Sequence, residues 1–340
     1  NVSIRGNGNA TILKRMYNPT SAEGLITLNG RSGCKIQGLQ IDGNNETYAS
    51  IHNSGIHLYS SSNNTVTGNT CNNDNSGIVL SLSSNNTITG NTCNNNYYDY
   101  GIYLYSSSNN TVTGNTCNNN SNIGIYLSSS SKNNTVTGNN CNNNNNYGIH
   151  LSSSSNNTVT GNNCNNNKYG INLYSSRDNT VTVNTCNNNE NSGIDLYSSN
   201  NNTITVNTCN NNDYGICISL DSSSKNNTVT GNTCNDNNRY GIYLDSSSSN
   251  TVTGNTCNNN RISGIDLYES SNNTITGNTC IRGTGQPSDY DSNQYTIRLY
   301  STGNNYNLIS SNNCMGKAVV IGGGTGNSVW GNKFDDTVEM

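Results

Sequence analysis

Apolar positions along this chain are few and strictly periodic. From residue 55 to about 280, each copy of a unit such as GIYLYSSSNNTVTGNTCNNN places two apolar residues in Gly-Ile-x-Leu, one in Thr-Val-Thr and one cysteine, among Asn, Ser, Thr and Gly. The first pair reads Ile56/Leu58, Ile78/Leu80, Ile102/Leu104, Ile125/Leu127, Ile149/Leu151, Ile171/Leu173, Ile194/Leu196, Ile216/Ile218, Ile242/Leu244 and Ile265/Leu267. Residues two apart on a strand share a face, so these side chains point inward, as does Val66 between Thr65 and Thr67. The cysteines are Cys71, Cys93, Cys117, Cys141, Cys164, Cys186, Cys209, Cys234, Cys257 and Cys280, with gaps of 22 to 25 residues. Fixed short strands joined by turns of variable length are the mark of a solenoid. Three strands per turn, each stacked on its counterpart at ~4.8 Å, predict an all-β parallel β-helix, right-handed like other parallel crossovers. No copy shows the three-and-four apolar spacing of a helix, and Thr, Asn, Ser and Gly are poor helix formers.

The pattern extends past the clean copies. Ile309 and Cys314, then Val329 and Phe334, fit the Val and Cys positions toward the C-terminus; Ile36 and Ile41 do so near the start, and Ile4 opens an earlier turn. Cys34 falls outside the column. The expectation is one β-helix domain over 1–340 of 13 to 14 coils, irregular over 1–54, regular over 55–280 and irregular over 281–340, with excursions near 10–24, 42–54 and 281–294.

Composition narrows the function classes. Charged residues are 10% of the 340 and the net charge is −4, so the clustered Lys and Arg of a nucleic-acid face are missing. No run of eighteen apolar residues suggests a membrane span, and the opening at Asn1 is read as lacking a signal peptide. Composition alone would allow disorder, but the periodicity argues for a fold.

The units quoted above resemble the parallel β-helix repeats of the NosD-like and carbohydrate-binding and sugar-hydrolase families, over nearly the whole chain. That resemblance implies the β-helix fold. It spans polysaccharide lyases and hydrolases, periplasmic proteins tied to copper-site maturation, and surface proteins of archaea and bacteria. His52, His57 and His150 form no cluster for copper, and no metal or cofactor is expected.

Several columns invite a chemical reading. Stacked Asn69, Asn91, Asn115, Asn139, Asn162, Asn184, Asn207, Asn232, Asn255 and Asn278, two before each cysteine, predict an amide ladder. The Gly before each is replaced only at Val183 and Val206. Asn63, Asn85, Asn109, Asn133, Asn156, Asn201, Asn226 and Asn272 are N-glycosylation acceptors by pattern on turns. The cysteine column, Cys314 included, is read first as buried free thiols, then as disulfides between neighbouring coils, and last as a thiolate metal wire. Cys217 is expected to face outward.

Outward-facing Tyr59, Tyr103, Tyr105, Tyr126, Tyr174, Tyr197, Tyr243 and Tyr268 offer a rigid face for glycans or protein. Asp195 and Asp266 share a column three coils apart, ~14 Å, beyond the reach of a paired carboxylate mechanism. Asp221, Asp245 and Asp266 on successive coils form a patch read as lacking a basic partner. The resulting expectation is a non-enzymatic extracellular or cell-surface building block that binds glycans through its Tyr face. A polysaccharide lyase or hydrolase is the alternative, and ice binding through the ten-coil Thr-x-Thr array, which resembles β-solenoid antifreeze faces, is the second. Uncovered coil ends predict self-association or a larger parent chain at an end.

Overall fold

A computed structural model of the chain describes residues 2–48, 53–212, 216–283, 293–317 and 319–334. His52, and parts of the excursions at 42–54 and 281–294, lie outside those residues. The chain divides into two compact units, Asn1–Asn167 and Lys168–Met340.

Each unit is a parallel β-solenoid, all-β among the described residues apart from one short 3-10 turn at Gly8–Ala10. In the first unit, six-residue strands such as Tyr100–Tyr105 and Ile123–Ser128 stack in register, Ile102 on Ile125 and Leu104 on Leu127. A second face stacks three-residue strands, Val66 on Ile88 on Val112 on Val136, with threonines aligned on either side. The third face keeps true strands only near the start, where Leu13, Ile41 and Cys71 align; higher coils make single bridges such as Thr92 to Thr116. The second unit stacks Ile204 on Val229 on Val252 on Ile275 on Ile309 on Val329, and its third face forms true strands at the last coils, where Cys314 aligns with Phe334. The core is therefore a set of columns of Ile, Leu, Val and Cys, nearly all fully buried.

Polar columns turn the corners. In the first unit Asn69, Asn91, Asn115, Asn139 and Asn162 pass an amide hydrogen bond from coil to coil at 2.9 to 3.0 Å. Asn139 Nδ2 also donates to Val112 O, and its Oδ1 accepts from the Asn115 backbone N–H. The second unit has the same ladder from Asn184 through Asn207, Asn232, Asn255 and Asn278 to Asn312. Two further Asn ladders and a Ser ladder, unforeseen in the sequence reading, fill the other corners: Asn64–Asn86–Asn110–Asn134–Asn157, Asn96–Asn120–Asn144–Asn167 and Ser83–Ser107–Ser131. Cys34 stands in register with Asn64, which is why it lies outside the cysteine column. The eight sequon asparagines are exposed and left-handed, with φ from 54° to 59°. Val183 and Val206 also take positive φ, 58° and 55°, where the repeat otherwise has Gly.

The cysteine column explains a glycine. A Cβ on Gly101 would lie 2.6 Å from Gly124 O, 2.8 Å from Cys117 Cβ and 3.0 Å from Asn120 Nδ2, so strand, cysteine and ladder meet where only Gly fits. Cys217 breaks this rule and corrects the expectation that it faces outward. The register sets Ile194 against Ile218 and Leu196 against Leu220, not Ile216 and Ile218. Cys217 thereby falls at the Gly193 level, buried, and is bonded to Cys234 in the column with a Cα–Cα distance of 5.3 Å. The sequence allowed both registers because a two-residue shift preserves which side chains face inward.

Eleven cysteines are buried outside that disulfide. Burial, with neighbouring thiols, holds Cys93, Cys117, Cys209 and Cys280 well above the usual thiol range, and pushes Cys314 up to about 12. Alkylation in denaturant without reductant should modify eleven cysteines, and all thirteen after reduction; intact-mass measurement reads the count, and the folded protein should resist modification. Asn139→Ala strands buried donors and acceptors on two coils and should cost about 3 kcal/mol. Thr137→Ala, on the outer side of its strand, should cost under about 1 kcal/mol in the same urea titration.

Candidate functional site

The outward side of the six-residue strands carries the chemistry-bearing residues. In the first unit they are aromatic. Tyr103 stacks on Tyr126 at 5.0 Å and Tyr126 on His150 at 5.0 Å, while Tyr100 packs on both tyrosines and Tyr147 on His150. Tyr100 and Tyr147 precede the Gly of their repeats, a column the sequence reading passed over. Because parallel strands set like over like, these rings spend their faces on one another and offer edges and hydroxyls outward. Tyr103 Oη, for example, bonds Ser128 Oγ at 3.0 Å. Tyr105 and Tyr59 are more exposed, at 41% and 42%. His57 is buried and bonds Ser81 Oγ.

In the second unit the same face carries acids. The residue between Ile and Leu runs Asn172, Asp195, Ser219, Tyr243, Asp266, Arg298 on consecutive coils. Next to it run Tyr174, Tyr197 and Asp221, then Asp245, Tyr268 and, beyond them, Tyr300. Asp195 and Asp221 therefore stand on neighbouring strands two residues out of step, which puts their Cα atoms about 8 Å apart. They share a cleft of about 230 Å³ with Tyr169, Asn191, Ser192, Ser219 and Arg239. The cleft opens because Ser192 and Ser219 are small where neighbouring coils carry Tyr169, Tyr240 and Tyr243.

Burial raises the Asp195 carboxyl to about 7, and the charge of Asp221 adds to the rise; hydrogen bonds to Asn172, at 2.6 Å, and to Ser219 pull the other way. One carboxyl is thus held protonated near neutrality with a second carboxyl one strand away, the arrangement of an acid and base pair. Three coils on from Asp195, Asp266 is buried and accepts from Arg298 Nε at 2.6 Å. Burial lifts Asp266 to about 6 despite the guanidinium. Arg298 lies over Tyr295 and Tyr300, 4.8 and 4.6 Å from their centroids. Tyr243 stacks on Tyr240 at 4.7 Å and donates to Asp245 Oδ2 at 3.2 Å.

These contacts correct the reading that the acidic patch has no basic partner. Arg239 lines the cleft and Arg298 pairs with Asp266. Asp195 and Asp266 remain three coils apart, as their spacing implied, but the partner of Asp195 is Asp221. It was missed because the register taken for the Cys217 strand set Cys217 beside Asp195. Among the described residues, no group of three or more His, Cys, Asp or Glu could hold a metal ion.

The stacked, in-register coils define the class: a right-handed parallel β-helix repeat protein. Within that class the chain belongs to the family described as "Periplasmic copper-binding protein (NosD)", whose sequence profile matches residues 2–191, 129–223 and 170–340. No curated protein matches the sequence. Among solved structures, the Dettilon tailspike protein is similar at 19% identity and a TM-score of 0.59, over 91% of this chain and 61% of that one. The chain thus spans under two thirds of that tailspike's length. The A-module of the Azotobacter vinelandii mannuronan C-5 epimerase AlgE4 is similar at 16% identity and 0.58, over 95% and 89%. DFA-IIIase from Arthrobacter chlorophenolicus A6, without its lid, is similar at 13% and 0.59, over 83% and 85%. At these identities the likeness is one of fold. It nevertheless overturns the expectation of a non-enzymatic protein, which rested on the regularity of the coils: an epimerase and DFA-IIIase are built on the same solenoid. No helix is long and apolar enough to cross a membrane among the described residues.

Asp195 and Asp266 keep their protons to about pH 7 and 6 in the fold, against ~3.9 for an unfolded Asp. Between these limits the folded protein binds more protons than the unfolded chain, so stability falls as pH rises, and the loss is complete above about 7. Thermal melts from pH 4 to 8 should show a declining midpoint, flattened near pH 7 in Asp195→Asn. A midpoint that climbs across this range contradicts the assignment.

Proposed function

We propose that this chain cleaves a polysaccharide, with the Asp195–Asp221 cleft as its catalytic site. The observation that carries the reading is the pairing of a carboxyl raised to about 7 with a second carboxyl one strand away, in a cleft that Arg239 lines. The Cα separation of about 8 Å suits carboxyl groups in the inverting window of roughly 6.5 to 9.5 Å, wide enough for a water between base and sugar. Asp195 gives its proton to the leaving glycosidic oxygen as that C–O bond breaks. Asp221 takes a proton from the water whose oxygen bonds to the anomeric carbon. One water is consumed and each product gains a hydroxyl. Arg239 offsets the negative charge left on the pair, and Tyr169 walls the cleft.

Copper, which the family description names, does not fit the donors among the described residues. His57 and His150 are engaged by Ser81 and by the Tyr126 and Tyr147 rings. The cysteine thiols are sealed in the core and approach from one line, where soft metals need converging ligands. An oxidising compartment outside the cytoplasm, where envelope or extracellular glycans are found, agrees with the family description and with the Cys217–Cys234 bond.

The test is release of reducing ends from alginate, pectate, dextran and β-glucan. Asp195→Asn and Asp221→Asn should each lower turnover 10²- to 10⁴-fold with melting curves near wild type, and activity should fall as pH rises through about 7. Full activity in both variants would remove this reading.

A further inference from the structure

The column beside the cleft runs over six coils of the second unit: Tyr174, Tyr197, Asp221, Asp245, Tyr268 and Tyr300. Two tyrosine pairs bracket two aspartates. Tyr174 and Tyr197 stack at 5.3 Å with planes 10° apart; Tyr268 and Tyr300 meet at 6.1 Å and 30°. Stacking uses one face of each inner ring. On the other side Tyr197 is followed in register by Asp221, and Tyr268 is preceded by Asp245, so neither ring meets another ring across the acids. The two inner tyrosines are three coil steps apart, about 14 Å, a gap that admits sugar rings over the acidic floor.

We propose that a glycan chain lies along the coil axis over this column, bound by Tyr174 and Tyr197 on one side of the bond cleaved and by Tyr268 and Tyr300 on the other. This rests on the hydrolytic reading of the Asp195–Asp221 cleft and adds the substrate class: a polymer cut internally, not a mono- or disaccharide. Sugars put apolar C–H faces against aromatic rings and direct hydroxyls to acceptors beside them, and this column alternates those two kinds of partner. Tyr174, Tyr197 and Tyr300 are exposed by 46%, 39% and 60%, which leaves area for such contacts. Arg298 holds Tyr300 from beneath, fixing the outermost ring. The column spans five coil steps, about 24 Å, several times one sugar residue.

The test uses the whole chain with Tyr174→Ala and Tyr300→Ala, singly and together, at exposed positions outside the cleft. On the polysaccharide of the panel that is cleaved, kcat/KM should fall about tenfold for each variant, turnover of the shortest cleaved oligosaccharide should stay unchanged, and wild-type products should be internal fragments. Independently, Asp195→Asn protein should be retarded in gels containing the panel polysaccharides, and the double tyrosine variant should migrate freely. Cleavage that ignores both tyrosines, or that releases only terminal sugars, overturns the proposal and leaves the hydrolytic reading standing. Retardation through the tyrosines without any cleavage overturns the hydrolytic reading and supports the binding column. Neither cleavage nor retardation overturns both.

Discussion

Everything in this molecule follows from stacking each residue on its own counterpart about one strand spacing away. In a parallel, in-register ladder a side chain meets a copy of itself, so each position must tolerate self-contact. Amides do so well: each Asn accepts through its oxygen and donates through its nitrogen along one direction, leaving few buried groups without partners. Small apolar side chains do so too. Charges do not, and a column of like charges repels, which is why a solenoid with 10% charged residues can afford acids only one or two at a time.

The same constraint makes the acidic face conspicuous. Asp195 sits between Asn172 and Ser219, and Asp266 between Tyr243 and Arg298, each with a partner able to hydrogen-bond a carboxylate. Asp221 and Asp245 interrupt a run of tyrosines. Where a repetitive chain departs from its repeat at several neighbouring coils at once, the departures share one patch of surface and act on the same ligand. In the first unit the equivalent face is filled by Tyr and His rings packed on one another.

The fold was legible in the sequence because a two-residue alternation inside a repeat of 22 to 25 residues has few physical solutions. Ile36, Ile41, Ile309 and Val329 were placed by that alternation alone, and the Asn69 ladder by its fixed offset from cysteine. The site was not legible, for a reason of the same origin. Alternation fixes which face a side chain takes and leaves its position along the strand undetermined by steps of two. The stretch Ile216–Asp221 satisfies it in two registers, and the structure takes the one that pairs Ile194 with Ile218 and Leu196 with Leu220. Arg239 escaped notice because it lies on a turn, where the repeat varies in length.

Near-identical coils carry a hazard in folding. A coil that docks one level too high finds the same Asn, Cys and Ile columns waiting, so misalignment by a whole repeat costs little. The Cys217–Cys234 bond and the Asp266–Arg298 pair exist at one level each. A slipped chain would part Cys217 from Cys234 and leave a buried carboxylate without its guanidinium. Such singular contacts act as registration marks, giving one alignment an energetic advantage that the repeat itself cannot provide.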